Sequence, residues 1–285
     1  MWRRRDWCGA VLASGALSAC APLGFQNAEP SPPPFSLTRI RAGDALWRAP
    51  VVLLGEQHDA PAHHALQAAV VNAFIQQQRL QALVLEMADA PHHTEGLATN
   101  ASEAQVQERL AWSQQAWPWA DYSAAILAAV RVGIPVRGAN LKRADMGRAM
   151  MDARLDGAVS PAALKVLREA VKTGHCDLLP ESQWAPMARI QIAKDKRMAE
   201  TIRAHVVEHK TVVVLCGSAH AHKQHGIPAH LPRELAKQAI SVHLRSANTP
   251  AAEPGAFDRE WLTAAVPEKD YCADLRQRWG KAASQ

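Results

Sequence analysis

The residues best placed to do chemistry stand at the ends of apolar runs. Val51-Val52-Leu53-Leu54 leads through Gly55 into Glu56-Gln57-His58-Asp59, and Ala82-Leu83-Val84-Leu85 leads into Glu86. Ile134-Pro135-Val136 leads on to Asn140, and Thr211-Val212-Val213-Val214-Leu215-Cys216 leads through Gly217-Ser218-Ala219 to His220. A carboxylate two residues before an imidazole is a pair that binds metal, moves a proton or holds the polar groups of a ligand. The plainer alternative is a Glu56 that caps a helix and a His58 on the surface. The chain has 13 histidines, so their number alone says little and the inference rests on position.

Elements must exist to hold these side chains. Short β-branched and leucine runs bounded by glycine and polar residues predict buried parallel strands. After the first run, Ala62, Leu66, Ala69, Val70, Ala73 and Phe74 recur at helical spacing, which predicts a crossover helix with Asp59-Ala60-Pro61 as its capped start. Strand, helix and strand in that order make a parallel βαβ unit. Ligands of such sheets bind beyond the carboxyl ends of the strands, where Glu56, His58, Glu86, Asn140 and His220 are predicted to converge.

Helices are predicted over 103–115 and 123–130. Trp112, Trp117, Trp119 and Tyr122 gather around Pro118, either as a packed core corner or as the wall of a cleft for a flat apolar ligand. Residues 141–209 read as helices interrupted at Gly157, Ser160-Pro161, Gly174 and Pro180, a helical insert between strands. Within it Asp195 borders the apolar face of Met187, Ile190, Met198 and Ile202, so it is expected to pair with an arginine or to face the cleft. A fifth strand, Ile240 to Leu244, an edge strand within 257–266 and a short polar tail complete the chain. His63, His64, His92 and His93 read as solvated. The fold class is α/β, a central, mainly parallel sheet with flanking helices and a helical insert subdomain.

The first residues carry their own message. Arg3-Arg4-Arg5, an apolar stretch from Trp7 to Leu17 and the small residues before Cys20 form a secretory leader too short to span a bilayer. Leu17-Ser18-Ala19-Cys20 resembles the lipobox of bacterial lipoproteins. That resemblance implies a signal peptide over 1–19, a lipidated (palmitate-bearing) Cys20 and, with Ala21 following it, an anchor in the outer membrane facing the periplasm. Residues 20–35, with Pro22, Pro30, Pro32, Pro33 and Pro34, read as a tether before a domain over 36–285.

The formal charge of +5 falls to about +3 when the leader's three Arg and one Asp are removed, and no long basic run remains. Nucleic acid is therefore not an expected partner. An oxidising periplasm permits a disulfide. Cys216 lies inside a predicted strand, which leaves Cys176 and Cys272 as the pair. No internal repeat, Walker phosphate loop, Gly-x-Gly-x-x-Gly or Gly-x-Ser-x-Gly is present.

Together, Leu54-Gly55-Glu56-Gln57-His58-Asp59 with His63-His64 and Gln67, Leu85-Glu86-Met87, Trp119 with Tyr122, Pro135-Val136, Ala139-Asn140, Gly174-His175-Cys176, Met187-Ala188, Gln191, Asp195, Met198-Ala199 and Gly217-Ser218-Ala219-His220 with Gly226-Ile227-Pro228 resemble the ChaN-like family of haem-binding lipoproteins. The resemblance runs from about Leu46 to Leu244. That family belongs to a wider group with the Tiki/TraB proteins and erythromycin esterases. The resemblance implies an envelope lipoprotein that binds haem for iron uptake as a non-redox carrier rather than an enzyme, with a tyrosine on the iron. Tyr122 is then the candidate axial ligand, and His220, His222, Trp119 and Asn140 are candidate haem contacts. It also implies a homodimer and a haem-uptake receptor or transporter as partners. The alternative is a metal-dependent hydrolase in which Glu56, His58, Glu86 and His220 bind a divalent ion or polarise a water.

Overall fold

The computed structural model of the chain describes residues 35–282. The predicted leader 1–19, Cys20 and all of the 20–35 tether but its last residue lie outside the described residues. In chain order the elements are β1 (Val51–Glu56), α1 (Pro61–Gln76), β2 (Leu80–Asp89), α2 (Glu103–Arg109), α3 (Trp119–Arg131), β3 (Val136–Asn140), α4 (Arg143–Met151), α5 (Pro161–Gly174), α6 (Trp184–His205), β4 (Thr211–Gly217), α7 (Ser218–Ala221), α8 (Arg233–Gln238), β5 (Ile240–Ser246), β6 (Arg259–Thr263) and α9 (Tyr271–Ala282).

The six strands pair in the order β3-β2-β4-β1-β5-β6, every pair parallel. All six residues of β1 and all seven of β4 are buried, as strands covered on both faces must be. Alternate residues serve opposite faces. Val52 and Leu54 meet Val70, Val71 and Phe74 of α1 with Tyr122, Ile126 and Ala129 of α3. Val51 and Leu53 meet Met198 and Ile202 of α6, Ala221 of α7 and Leu231 before α8. Each such Val, Leu, Ile or Phe removed from water contributes about 1.5–3 kcal/mol. The insert has its own small core of Leu141, Leu155, Leu167, Val171, Ala188 and Ile192, and α6 serves both this core and the sheet.

Three elements differ from the sequence reading. The helix from Glu103 stops at Arg109, because Ala111 takes a left-handed φ of 47° and the Trp112 indole N–H turns back to the Trp117 carbonyl. α1 has Ala60 at its N-cap with no side-chain bond; Asp59 accepts from Gln57 and Tyr271 instead. The expected polar tail is the helix α9, whose start is covalently fixed by a Cys176–Cys272 disulfide. The free cysteine among the described residues is Cys216, buried in β4. No helix among them is long and apolar enough to cross a membrane.

Candidate functional site

β1 and β4 lie side by side, yet their chains leave in opposite directions, β1 through α1 on one face and β4 through α7 and α8 on the other. Such a reversal opens a crevice at the carboxyl ends. The crevice is a cleft of about 720 Å³. Its floor is Glu56, His58, Glu86 and Gly217 to His220; Gln191 and Lys194 of α6 stand on one side, His243 to Ser246 of β5, Lys269 and Tyr271 on the others.

Under that floor carboxylates and imidazoles alternate. Glu56 accepts from His58 Nδ1 and from the Tyr122 hydroxyl, both at 2.7 Å on Oε1. Its Oε2 lies 3.5 Å from His64 Nε2, and His64 Nδ1 is 3.9 Å from Asp121. His58 Nε2 is 3.9 Å from Glu86 Oε2, which also accepts the Gly217 N–H at 2.8 Å. Glu86 Oε1 is 3.2 Å from His220 Nε2, and His220 Nδ1 donates to Asp195 at 2.6 Å. The series Asp121, His64, Glu56, His58, Glu86, His220, Asp195 thus spans from the α3 side of the sheet to the α6 side. His58 is its opening to the cleft, with its side chain 37% exposed.

Burial and neighbours set the protonation. Burial opposes a charge on His220, but Glu86 and Asp195 on either side raise its pKa to about 10. Burial likewise opposes ionisation of Glu86, yet His220, His58 and the Gly217 N–H hold it well below the usual carboxylate range. Asp195 is pushed up to about 6 by burial against the pull of His220. His58 is raised, because Glu56 and Glu86 outweigh its desolvation. The Tyr122 phenol is raised by burial and then by Glu56, so it stays protonated. His63 falls to about 4 through burial; neutral, it accepts the Gln57 N–H and donates to Thr263.

Gly217 permits this packing. A Cβ there would stand 2.7 Å from His58 Nε2, a contact that would push the imidazole off its carboxylate.

Of the predicted residues, Glu56, His58, Glu86 and His220 meet at the floor as expected. The rest of the set is placed elsewhere. Tyr122 is 1% exposed with its hydroxyl committed to Glu56, so it is not an open iron ligand. Trp119 is buried and donates to Glu103. Asn140 sits behind the floor, donating to the Glu86 carbonyl. His222 turns from the cleft to stack on His225, ring centroids 3.7 Å apart. Asp195 pairs with a histidine rather than an arginine, and His63 and His64 are buried rather than solvated.

Among the described residues no group of three or more His, Cys, Asp and Glu side chains is arranged to hold a metal ion. The imidazole nitrogens of the floor point at carboxylates, and that geometry gives the divalent-metal alternative no support.

The cleft is also lined by Lys194, Lys269 and Arg245, which the sequence reading did not single out, and by Tyr271, the second of the chain's two tyrosines, over which it preferred Tyr122. Tyr271 is the exposed tyrosine, 50% accessible, and its hydroxyl donates to Asp59 at the cleft edge. The signals for it were that the chain has only two tyrosines and that its neighbour Cys272 was the expected disulfide partner of Cys176.

A family model described as haem-binding uptake, Tiki superfamily, ChaN matches residues 43–231. Among solved structures the chain is similar to ChaN of Campylobacter jejuni with cofacial haem binding, 25% identical over 76% of this chain and 88% of that one, with a TM-score of 0.62. It has weaker likenesses to the type III effector HopBA1 (17% identity, 76% and 88% covered, TM-score 0.44) and to an erythromycin esterase in its open conformation (12%, 82% and 82%, 0.43). No curated protein matches the chain.

Proposed function

The chain belongs to the ChaN family of haem-binding uptake proteins in the Tiki superfamily, and on that premise we propose that its cleft carries haem, with Tyr271 rather than Tyr122 as the oxygen ligand of the iron. The observation that carries this reading is the exposed Tyr271 phenol on the wall of a 720 Å³ cleft. That volume falls in the range of small-molecule and cofactor sites. An anionic phenolate suits ferric iron and disfavours its reduction, which fits transport better than redox work. Lys194 and Lys269 line the same cleft and supply cations for two propionates, and Arg245, paired with Glu260 at 2.7 Å, adds a guanidinium edge beside them. His220, an imidazolium beneath them, offsets the charge of the Glu86 and Asp195 carboxylates on either side of it.

The wider role is iron uptake at the bacterial envelope, with the chain anchored to the outer membrane through lipidated Cys20 and delivering haem to a receptor or transporter. The leader, the cysteine at its end and the proline-rich segment after it support this part. The cleft is open on one side, and a second copy of the chain is a fitting cover. The cofacial haems of the Campylobacter jejuni relative favour such a pair.

A hemin titration followed by absorbance tests the reading. Wild type is expected to saturate with a phenolate-to-iron charge-transfer feature that Tyr271→Phe loses and Tyr122→Phe keeps. Unsaturable binding by wild type, or a feature that survives Tyr271→Phe, overturns it.

A further inference from the structure

None of the described side chains on the wall that carries Tyr271 is fully buried. Tyr271, Ala273, Arg276 and Gln277 of α9 are exposed, and Cys272 and Leu275 are half-buried. None of these six joins the three buried clusters. The Tyr271 hydroxyl bonds to Asp59, itself exposed, and Lys269 Nζ stands 5.2 Å over its ring; such contacts, shared with solvent, hold a segment less firmly than a covalent link.

The covalent link is a different matter. Cys272, the next residue, is joined to Cys176 across 96 residues of sequence. Cys176 follows α5, and α5 packs on α6 through Leu167, Val171, Ala188 and Ile192. α6 contributes Gln191 and Lys194 to the other side of the cleft. The disulfide therefore ties one wall of the cleft to the subdomain that supplies the opposite wall.

We propose that the Cys176–Cys272 disulfide positions Tyr271 for ligand binding, and that its reduction by a dithiol opens the site. The inference rests on Tyr271 being the oxygen ligand. Both sulfurs belong to half-buried residues, within reach of a reductant. A thiolate of the dithiol attacks one sulfur and forms a mixed disulfide; the expelled cysteine leaves as thiolate and takes up a proton. The second thiol of the reductant then closes its own disulfide and releases the other cysteine. Two electrons pass from the dithiol to the cystine, and both cysteines end as thiols. With the crosslink gone, Tyr271 must be ordered at each binding event, and hemin binding weakens by roughly tenfold or more.

The test uses the full chain labelled with 3-fluorotyrosine, which reports Tyr122 and Tyr271 as two fluorine resonances. Haem-free protein is compared oxidised, reduced with a dithiol and alkylated, and as the Cys176→Ser/Cys272→Ser double variant; each form is then titrated with hemin. On reduction, and in the double variant, the Tyr271 line is expected to narrow and move to its random-coil position while the buried Tyr122 line stays in place and reports an intact fold. Hemin affinity and the phenolate feature should fall to the Tyr271→Phe level in both forms, and reoxidation of reduced, unalkylated protein should restore them. A Tyr271 line that does not respond to reduction overturns the inference, as does hemin binding that is equal with and without the crosslink. If the line responds but oxidised wild type shows no phenolate feature, the latch stands and the haem assignment of Tyr271 fails.

Discussion

Replacing His220 by leucine should expose how the floor of the cleft is held together. His220 is 6% exposed and lies between Glu86 and Asp195, at 3.2 and 2.6 Å. Removing the cation leaves two buried carboxylates facing a hydrocarbon side chain, a change that costs about 3–5 kcal/mol. The pH dependence follows from sign. The imidazole moves from an ordinary 6.5 to about 10 on folding, so its contribution is complete below pH 6.5 and is lost as pH rises towards 10. At about 1.4 kcal/mol per pH unit this amounts to roughly 5 kcal/mol.

Asp195 has the same sign over a lower window, so at neutral pH its contribution is already gone while that of His220 remains. Its carboxyl rises from 3.8 to about 6, so its contribution is complete below 3.8, and above 6 it returns roughly 3 kcal/mol. Glu86, held low, favours the folded state at any pH above its ordinary range. Urea unfolding at intervals from pH 6 to 10 would measure the balance. Wild type should exceed His220→Leu by about 3–5 kcal/mol at pH 7, with the gap closing towards pH 10. The His220→Leu/Asp195→Leu double variant should recover part of the loss, since one stranded charge is gone. A single variant that costs under about 1 kcal/mol, or a gap that stays constant to pH 10, would refute the reasoning.

Three further substitutions probe the same frame. Tyr122→Phe removes a donor from buried Glu56 and should lower unfolding free energy by about 1–3 kcal/mol in denaturant titrations while hemin affinity is unchanged. Gly217→Ala sets a methyl 2.7 Å from His58 Nε2; NMR titration should show His58 falling back towards its ordinary value once it leaves Glu56, and an unmoved titration would count against the packing argument. Gly138→Ala brings Cβ within 2.5 Å of the Asp89 carbonyl oxygen, backbone that cannot rotate away, so about 1–3 kcal/mol and a visible drop in melting temperature are expected.

What the sequence made legible was the placement of side chains along the strand direction. Val51 to Leu54 and Thr211 to Cys216 could be read as strands because both faces of the sheet are covered, which requires unbroken apolar runs. The carboxyl ends of such runs then had to fall together, and Glu56, Glu86 and His220 did. Partners that cross between elements left no such trace. The bond from Tyr122 to Glu56 joins positions 66 residues apart, and nothing local in Trp119-Ala120-Asp121-Tyr122 distinguishes a phenol that faces a cleft from one that closes its floor. α9 was missed as well: Cys272, Leu275 and Trp279 recur at helical spacing, but they stand among charged and polar residues close to the end of the given sequence.

The same distinction decides what the histidines do. As residue types, Glu56, His58, Glu86 and His220 suit a metal ion as well as a proton, and spacing cannot separate the two. The structure separates them by direction. His220 presents one nitrogen to Glu86 and the other to Asp195, and His58 presents its nitrogens to Glu56 and Glu86. An imidazole that faces carboxylates on both sides is favoured with both nitrogens protonated and then has no lone pair for a metal. The oxygen donor that the proposed haem site calls for is therefore sought among exposed phenols, and Tyr271, half accessible at the cleft edge, is the tyrosine that meets this condition.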